Sequence, residues 1–374
     1  MKVFFYTNNI NPTFGGSVFS QLILAKEFSM RGAEVKIIVN RHHDTEIDPG
    51  VPVIALDAKY GDLQRPLQLK KMVQLEKPDA IFANMKPQMI TLGLARLLTG
   101  KSETIFAGID RMADHGLYLA GKLKYIPKRF FTRFAYGKLD HIVAISEFVR
   151  NDIHETYWLS KDKMSVIYNA VELDEIRAKA EQGLPDKDAA LFDTREVMIN
   201  VGRLTTQKAQ HHLINVLAFL KDKRPNLDLV ILGEGRMKDD LKKLAAELGI
   251  ADRVHLLGHR DNPFSYIARA KLFALSSIHE AFGRVVLESM ALRTPVIAFD
   301  APGGHVELLS DGAGVIVPNG DELKYADSVL NILTDTTVRN NMIENACDSS
   351  NNFTSKNNGD AFYSCVEELM QKNT

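Results

Sequence analysis

Two glutamates, Glu280 and Glu288, stand with seven residues between them in the stretch SSIHEAFGRVVLESMAL, residues 276–292. The apolar run Leu272 to Leu275 precedes them and reads as a buried strand. The chain then turns through Phe282 and Gly283 into a helix carrying Val285, Val286, Leu287 and Met290. Glu280 falls in the loop and Glu288 inside the helix. Loops at the C-terminal ends of strands in an open α/β sheet are where ligands bind. The free amides of a helix start suit an anionic or hydroxyl-rich ligand. An ionised carboxylate there accepts hydrogen bonds from hydroxyl groups. The plain alternative is a surface helix with two solvated glutamates.

Other strand ends in the same half carry complementary chemistry. After Val201 come Gly202, Arg203 and, five residues further on, Lys208. After Leu232 comes Gly233 in the run GEGR, and after Phe299 comes Pro302-Gly303-Gly304. Arginine grips phosphate bidentately and lysine supplies a compact charge for a further oxygen. Glycines let backbone amides close on the same group. The alternative for this set is that Arg203 caps its own domain and Lys208 is solvated.

These side chains need a scaffold, and the hydrophobic pattern supplies one. Apolar runs at Val3–Tyr6, Val35–Val39, Val53–Leu56, Ala80–Ala83, Thr104–Ala107, Ile142–Ile145 and Met164–Tyr168 read as strands. Helical spacing covers 17–30, 64–76, 87–99 and 121–138. A second series has strands at Val197–Val201, Leu229–Leu232, Val254–Leu257, Leu272–Leu275, Val296–Phe299 and Val315–Val317. Strands alternating with helices predict parallel sheets covered on both faces. The expected fold class is therefore α/β, with two Rossmann-like, doubly wound domains and a site in the cleft between them. Residues 1–175 form the first domain, 176–195 a charged linker and 196–356 the second. A C-terminal helix, 357–374, is expected to pack back on the first domain. The Asp186-Lys187-Asp188 run resembles a metal-holding pair but sits in the linker, where it reads as solvated. No metal site and no cofactor are expected.

Composition narrows the field. The chain of 374 residues has the apolar and charged content of an ordinary globular protein, and a formal net charge of −1 removes the electrostatic case for a nucleic-acid binder. Two cysteines, Cys347 and Cys365, make no disulfide framework and fit a reducing cytoplasm. The apolar run opening MKVFFYTNN is too short for a signal peptide, and no run is long enough to span a bilayer.

GRLTTQK resembles the G-R-x-x-x-x-K segment of the family-four retaining glycosyltransferases, and EAFGRVVLE matches that family's E-x7-E motif. NAVELDEI is similar to its interdomain asparagine segment, with Ala170 replacing glycine. The family has the two-domain GT-B architecture. The resemblance implies a nucleotide-diphosphate-sugar donor, expected to be a UDP-sugar, on the C-terminal half and an acceptor on the N-terminal half. It implies that Arg203 and Lys208 hold the diphosphate, with Gly202, Gly233, Phe282 and Gly283 lining the donor site. Glu280 would contact the sugar hydroxyls and Glu288 the ribose, while Gly15 and Gly16 lend backbone to the phosphates. Many members carry a His-Asp pair after the fifth strand. Here FAGIDR supplies Ile109-Asp110, and the nearby histidine is His115. Asp110 is a catalytic candidate, with a structural part in a turn as the alternative.

Residues 116–139 contain no acidic side chain. Lys122, Lys124, Lys128, Arg129, Arg133 and Lys138 lie there, with Tyr118, Tyr125, Phe130, Phe131 and Phe134 among them. That pattern suits contact with an anionic membrane surface; a core-packed helix with a basic outer face is the alternative. The function expected is transfer of a sugar with retention, without metal, onto a glycan or lipid-linked glycan, as in surface polysaccharide or lipopolysaccharide synthesis. It would take place in the cytoplasm, at the cytoplasmic face of the membrane. A non-hydrolysing nucleotide-sugar epimerase and a non-catalytic nucleotide-sugar-binding protein are the rival readings.

Overall fold

The computed structural model describes residues 1–10, 16–40, 49–56, 64–114 and 125–373. The chain divides into one unit of residues 1–170 with 355–374 and a second of residues 171–354. In the first unit the strands are β1 (Lys2–Thr7), β2 (Glu34–Val39), β3 (Val53–Ala55), β4 (Ala80–Asn84), β5 (Ile105–Asp110), β6 (His141–Ala144) and β7 (Met164–Val166). They pair in parallel in the order β3-β2-β1-β4-β5-β6-β7. Strands such as AIFAN and IFAGID are buried along their whole length, as a sheet covered on both faces requires. Because β1 lies between β2 and β4, the winding direction reverses there, and the ends of β1 and β4 flank the topological switch point.

The second unit repeats the plan with β8 (Glu196–Val201), β9 (Leu227–Leu232), β10 (Val254–Gly258), β11 (Leu272–Leu275), β12 (Val296–Asp300) and β13 (Val315–Pro318). Their order is β10-β9-β8-β11-β12-β13, again all parallel. Its switch point falls between β8 and β11, so the loops after Val201 and Leu275 are neighbours. The fold is α/β with two Rossmann-like sheets, the GT-B class.

The C-terminal helix Ser355–Asn373 belongs to the first unit. It sets Phe362 edge-on to Phe82, with ring centroids 5.9 Å apart, and Tyr363 against Phe28 at 5.5 Å. Arg31 ties the helix down through Asp360 at 2.7 Å.

Residues 176–195 differ from the expected linker. Leu173–Ala180 and Asp186–Thr194 are helices of the second unit. Each opens with two acidic residues, which favour a helix N-terminus. Nor is Asp188 solvated: it accepts from Tyr266 Oη at 2.6 Å and Arg260 Nη2 at 3.0 Å. Burial pushes its carboxyl up, and these two partners hold it below the usual carboxylate value. Tertiary partners 72 and 78 residues away made the fold here, and the local sequence does not reveal them.

Candidate active site

In the second unit the sequence motifs converge at the switch point. Val201 pairs with Leu232, so the loops after β8 and β9 leave together. Gly202 N–H donates to Leu232 O at 2.9 Å and Leu204 N–H to Glu234 O at 3.0 Å. A Cβ on Gly233, which has φ +140°, would lie 2.1 Å from Gly202 O, so the approach admits only glycine. The aliphatic stem of Lys208 lies across Gly202. On the other side, Ile278 N–H donates to Gln207 O at 2.9 Å and Ser276 Oγ to Lys208 O at 2.8 Å. These bonds join the loops after β8 and β11. Ala209, the next residue, has φ +48°, a left-handed conformation that non-glycine residues seldom adopt. The backbone around Lys208 is thus held in a strained turn by tertiary bonds.

The charges meet where the loops meet. Lys208 Nζ is ion-paired with Glu280 Oε1, and Ser277 Oγ donates to the same oxygen at 2.7 Å. Glu280 is only 8% exposed. Burial pushes its carboxyl up, but the Lys208 charge and the Lys208 and Ser277 hydrogen bonds overcome this and hold it below the usual range. The group is an ionised carboxylate. Arg203 is different. Its carbonyl accepts from Gln210 at 3.1 Å, yet its guanidinium is exposed and has no hydrogen bond or ion pair among the described residues. The site therefore offers one uncommitted cation, one cation paired to a carboxylate, and the glycine amides of two loops.

The third loop, after β12, locks Glu280 from its own side. Glu280 N–H donates to Pro302 O at 3.0 Å and Gly304 N–H donates to Glu280 O at 3.2 Å. A Cβ on Gly303 would lie 2.3 Å from Glu280 O. Gly303→Ala is therefore expected to push the Glu280 loop aside, lowering stability by about 1–3 kcal/mol and activity with it. A thermal melt alongside the rate checks this; an unchanged melt with an unchanged rate contradicts it.

Glu288 sits in the helix Arg284–Ala291, which Gly283 opens with φ +88°. It takes its partner from its own helix, Arg284 Nε at 2.8 Å. Burial pushes its carboxyl above the usual value, and Arg284 offsets this only in part. Phe282 is buried and packs edge-on toward Phe353 at 6.2 Å.

Sequence reading missed His305, which is fully buried. Burial lowers its pKa, so it is neutral, and its Nε2–H donates to Phe299 O at 3.1 Å. Nδ1 is left without a hydrogen-bond partner. Ser277 was missed as well. The sequence signals were present: a histidine directly after Pro-Gly-Gly, and two serines directly after the β11 strand.

The first unit holds the remaining candidates. Gly16 opens the helix Gly16–Met30, while Gly15 and His115 lie outside the described residues, as does the basic segment up to residue 124. The sequence suggests a catalytic part for Asp110, and the structure ends β5 on it and buries it to 1% exposure. Its oxygens accept from Tyr136 Oη at 2.9 Å and Met112 N at 3.1 Å. Burial raises its pKa against the nearby Lys86 charge. Each oxygen thus accepts one hydrogen bond from within the unit. Beside it, Lys86 is ion-paired with Asp114 and contacts Tyr157 Oη at 2.9 Å, a buried set that sequence reading did not single out.

Two doubly wound units, each built on a parallel sheet, define the GT-B class of fold. The family models agree: glycosyl transferases group 1 matches residues 185–348 and glycosyltransferase family 4 matches residues 14–175. The chain belongs to this glycosyltransferase family. It is 30% identical over 290 residues to the N-acetylgalactosamine-N,N'-diacetylbacillosaminyl-diphospho-undecaprenol 4-alpha-N-acetylgalactosaminyltransferase of Campylobacter jejuni, covering 77% of this chain and 73% of that one. It is 29% identical over 283 residues to the lipopolysaccharide core biosynthesis glycosyltransferase LpsE of Rhizobium meliloti, covering 75% and 72%. The crystal structure of HepE from Anabaena in complex with UDP superposes with a TM-score of 0.81 at 20% identity, covering 98% of this chain and 100% of that one. Membership in a transferase family removes the epimerase and non-catalytic readings.

Proposed function

We propose that the protein transfers a hexosyl or N-acetylhexosaminyl group, with retention, from a UDP-sugar to a glycan or lipid-linked glycan of a bacterial surface polysaccharide or lipopolysaccharide. The observation that carries this is the Lys208–Glu280 ion pair at the switch point of the second unit, with Arg203 on the same loop as Lys208. A departing diphosphate gains negative charge as the sugar bond breaks, and Arg203, Lys208 and the amides near Gly202 and Gly233 answer it. Glu280 takes the sugar hydroxyls and Glu288 the ribose. Lys208 is then shared between Glu280 and the diphosphate. The first unit carries the acceptor. Asp110 is the catalytic candidate of the first unit. The named acceptor of the Campylobacter relative, a diphospho-undecaprenol glycan, supports a lipid-linked acceptor, and the UDP held by HepE supports the base.

With two cations doing the work of charge neutralisation, transfer is expected to persist in EDTA. The test has two parts. Thermal shift against UDP, GDP and ADP should give stabilisation by UDP above the others, growing with ligand as RT ln(1 + [L]/Kd). Turnover of UDP-sugar should then survive chelation. Stabilisation by GDP or ADP alone would overturn the choice of base, and complete loss of turnover in EDTA, restored by magnesium or manganese, would overturn the charge argument.

A further inference from the structure

Two glycines make the room that the buried His305 side chain fills. A Cβ on Gly283 would lie 2.8 Å from the His305 Cβ. A Cβ on Gly303 would lie 2.7 Å from Nδ1 of the ring and 2.9 Å from Glu280 N. The two ends of the side chain thus face different parts of the site. The Cβ abuts Gly283, which opens the helix of Glu288. The ring abuts Gly303, which pairs with Glu280 as a short β-bridge. Its Nε2–H donates to Phe299 O at 3.1 Å, so the ring is pinned to β12 as well.

Burying a polar atom without a partner is costly, and Nδ1 has no hydrogen-bond partner among the described residues. An apolar side chain would fill the same space without stranding a lone pair. What it would lack is the N–H that pins the ring to Phe299 O. Burial keeps the imidazole neutral; the charges of Glu280 and Asp300 favour the imidazolium and that of Lys208 opposes it. A neutral ring has one N–H, already committed, and so brings no second donor to compete with Lys208 and Ser277 for the Glu280 carboxylate. We infer that His305 is the positioning residue of Glu280: a strut, fixed at Phe299 O, that holds the Gly303 loop against the Glu280 backbone and sets where the carboxylate meets the donor sugar. The sugar contact rests on the transfer reading; the strut does not, and it is measured without donor or acceptor.

His305→Ala keeps the Cβ against Gly283 and removes the ring against Gly303, so it loosens one glutamate and not the other. In the full-length, ligand-free protein, hydrogen exchange should show lost protection across residues 276–283, where the Glu280 amide now donates to Pro302 O at 3.0 Å. The Glu288 helix should stay protected. His305→Gln, which can still donate to Phe299 O, should restore protection; His305→Leu, which fills space without a donor, should not. With UDP-sugar and acceptor, kcat of His305→Ala should fall about 10²-fold, the loss that a misplacement of about 1 Å can cause. UDP affinity by calorimetry should hold, because UDP lacks the sugar. His305→Gln should recover most of the rate. Should His305→Ala not fold, His305→Leu against His305→Gln gives the same comparison. Three results would overturn the inference. One is unchanged protection of residues 276–283 in His305→Ala. Another is kcat and UDP affinity falling together in every variant, as a general loss of packing would give. The third is a His305→Leu protein that matches wild type in exchange and rate. A wild-type protein that turns over no UDP-sugar would instead overturn the transfer reading, while the exchange result still decides the strut.

Discussion

Arg203→Ala and Lys208→Ala are each expected to lower kcat by roughly 10²–10³, about 2.7–4 kcal/mol, the usual loss on removing one preorganised donor from developing charge. Donor affinity should change less, because the diphosphate gains charge only as the sugar bond breaks. The two variants should part company in stability. Arg203 is exposed and its guanidinium has no bond among the described residues, so its loss should leave the melting temperature within error. Lys208 is the partner of Glu280, and removing it leaves a carboxylate that is 8% exposed without its cation. Breaking a buried pair in this way costs about 3–5 kcal/mol, so Lys208→Ala should melt lower as well as turn over slowly. Arg203→Ala is therefore the cleaner probe of chemistry. Arg203→Lys should restore only part of the rate, since a point charge cannot replace a bidentate fork. The double variant should lose less than the product of the single losses, because both groups grip one leaving group. Steady-state kinetics with parallel melts decide the matter. Near-normal turnover by folded Arg203→Ala and Lys208→Ala would remove the diphosphate clamp from the account.

The strands were legible because a parallel sheet buries both faces and so prints each strand as an apolar run. The switch-point loops were legible because glycines and charges interrupt those runs abruptly, as at Val201-Gly202-Arg203 and Leu232-Gly233. Long-range pairing was not. Asp188 looks solvated until Arg260 and Tyr266 arrive from 72 and 78 residues away. Nothing local to Asp110 reveals that Tyr136, on a helix 26 residues on, bonds its carboxylate. The polar helices Leu173–Ala180 and Asp186–Thr194 show the same blindness, since each buries a single side chain, Ile176 or Asp188, and leaves almost no apolar period to read. Trp158 follows a different helix, and no local spacing could place its ring beside Arg129.

Glu280→Gln should separate charge from shape at the centre of the site. The amide keeps the side chain's size and can still accept from Ser277, which now bonds Glu280 at 2.7 Å. It loses the charge that pairs with Lys208. A carboxylate accepting from a sugar hydroxyl contributes about 1.5–3 kcal/mol, more than a neutral acceptor. Losing it in the transition state, together with the orientation it gives Lys208, predicts a fall in kcat on the order of 10². Glu288→Gln is the control. Burial already pushes the Glu288 carboxyl up, and its one charged partner is Arg284 on the same helix, so the neutral form is tolerated there. Its loss should raise the donor KM about tenfold through a weakened ribose contact, with kcat nearly unchanged. UDP affinity alone should follow the same split, falling for Glu288→Gln and holding for Glu280→Gln, because UDP carries the ribose but not the sugar. The measurement is kcat and KM for both variants, with UDP binding by calorimetry. Equal and mild effects from the two changes would leave both glutamates with structural parts only and take the sugar contact away from Glu280.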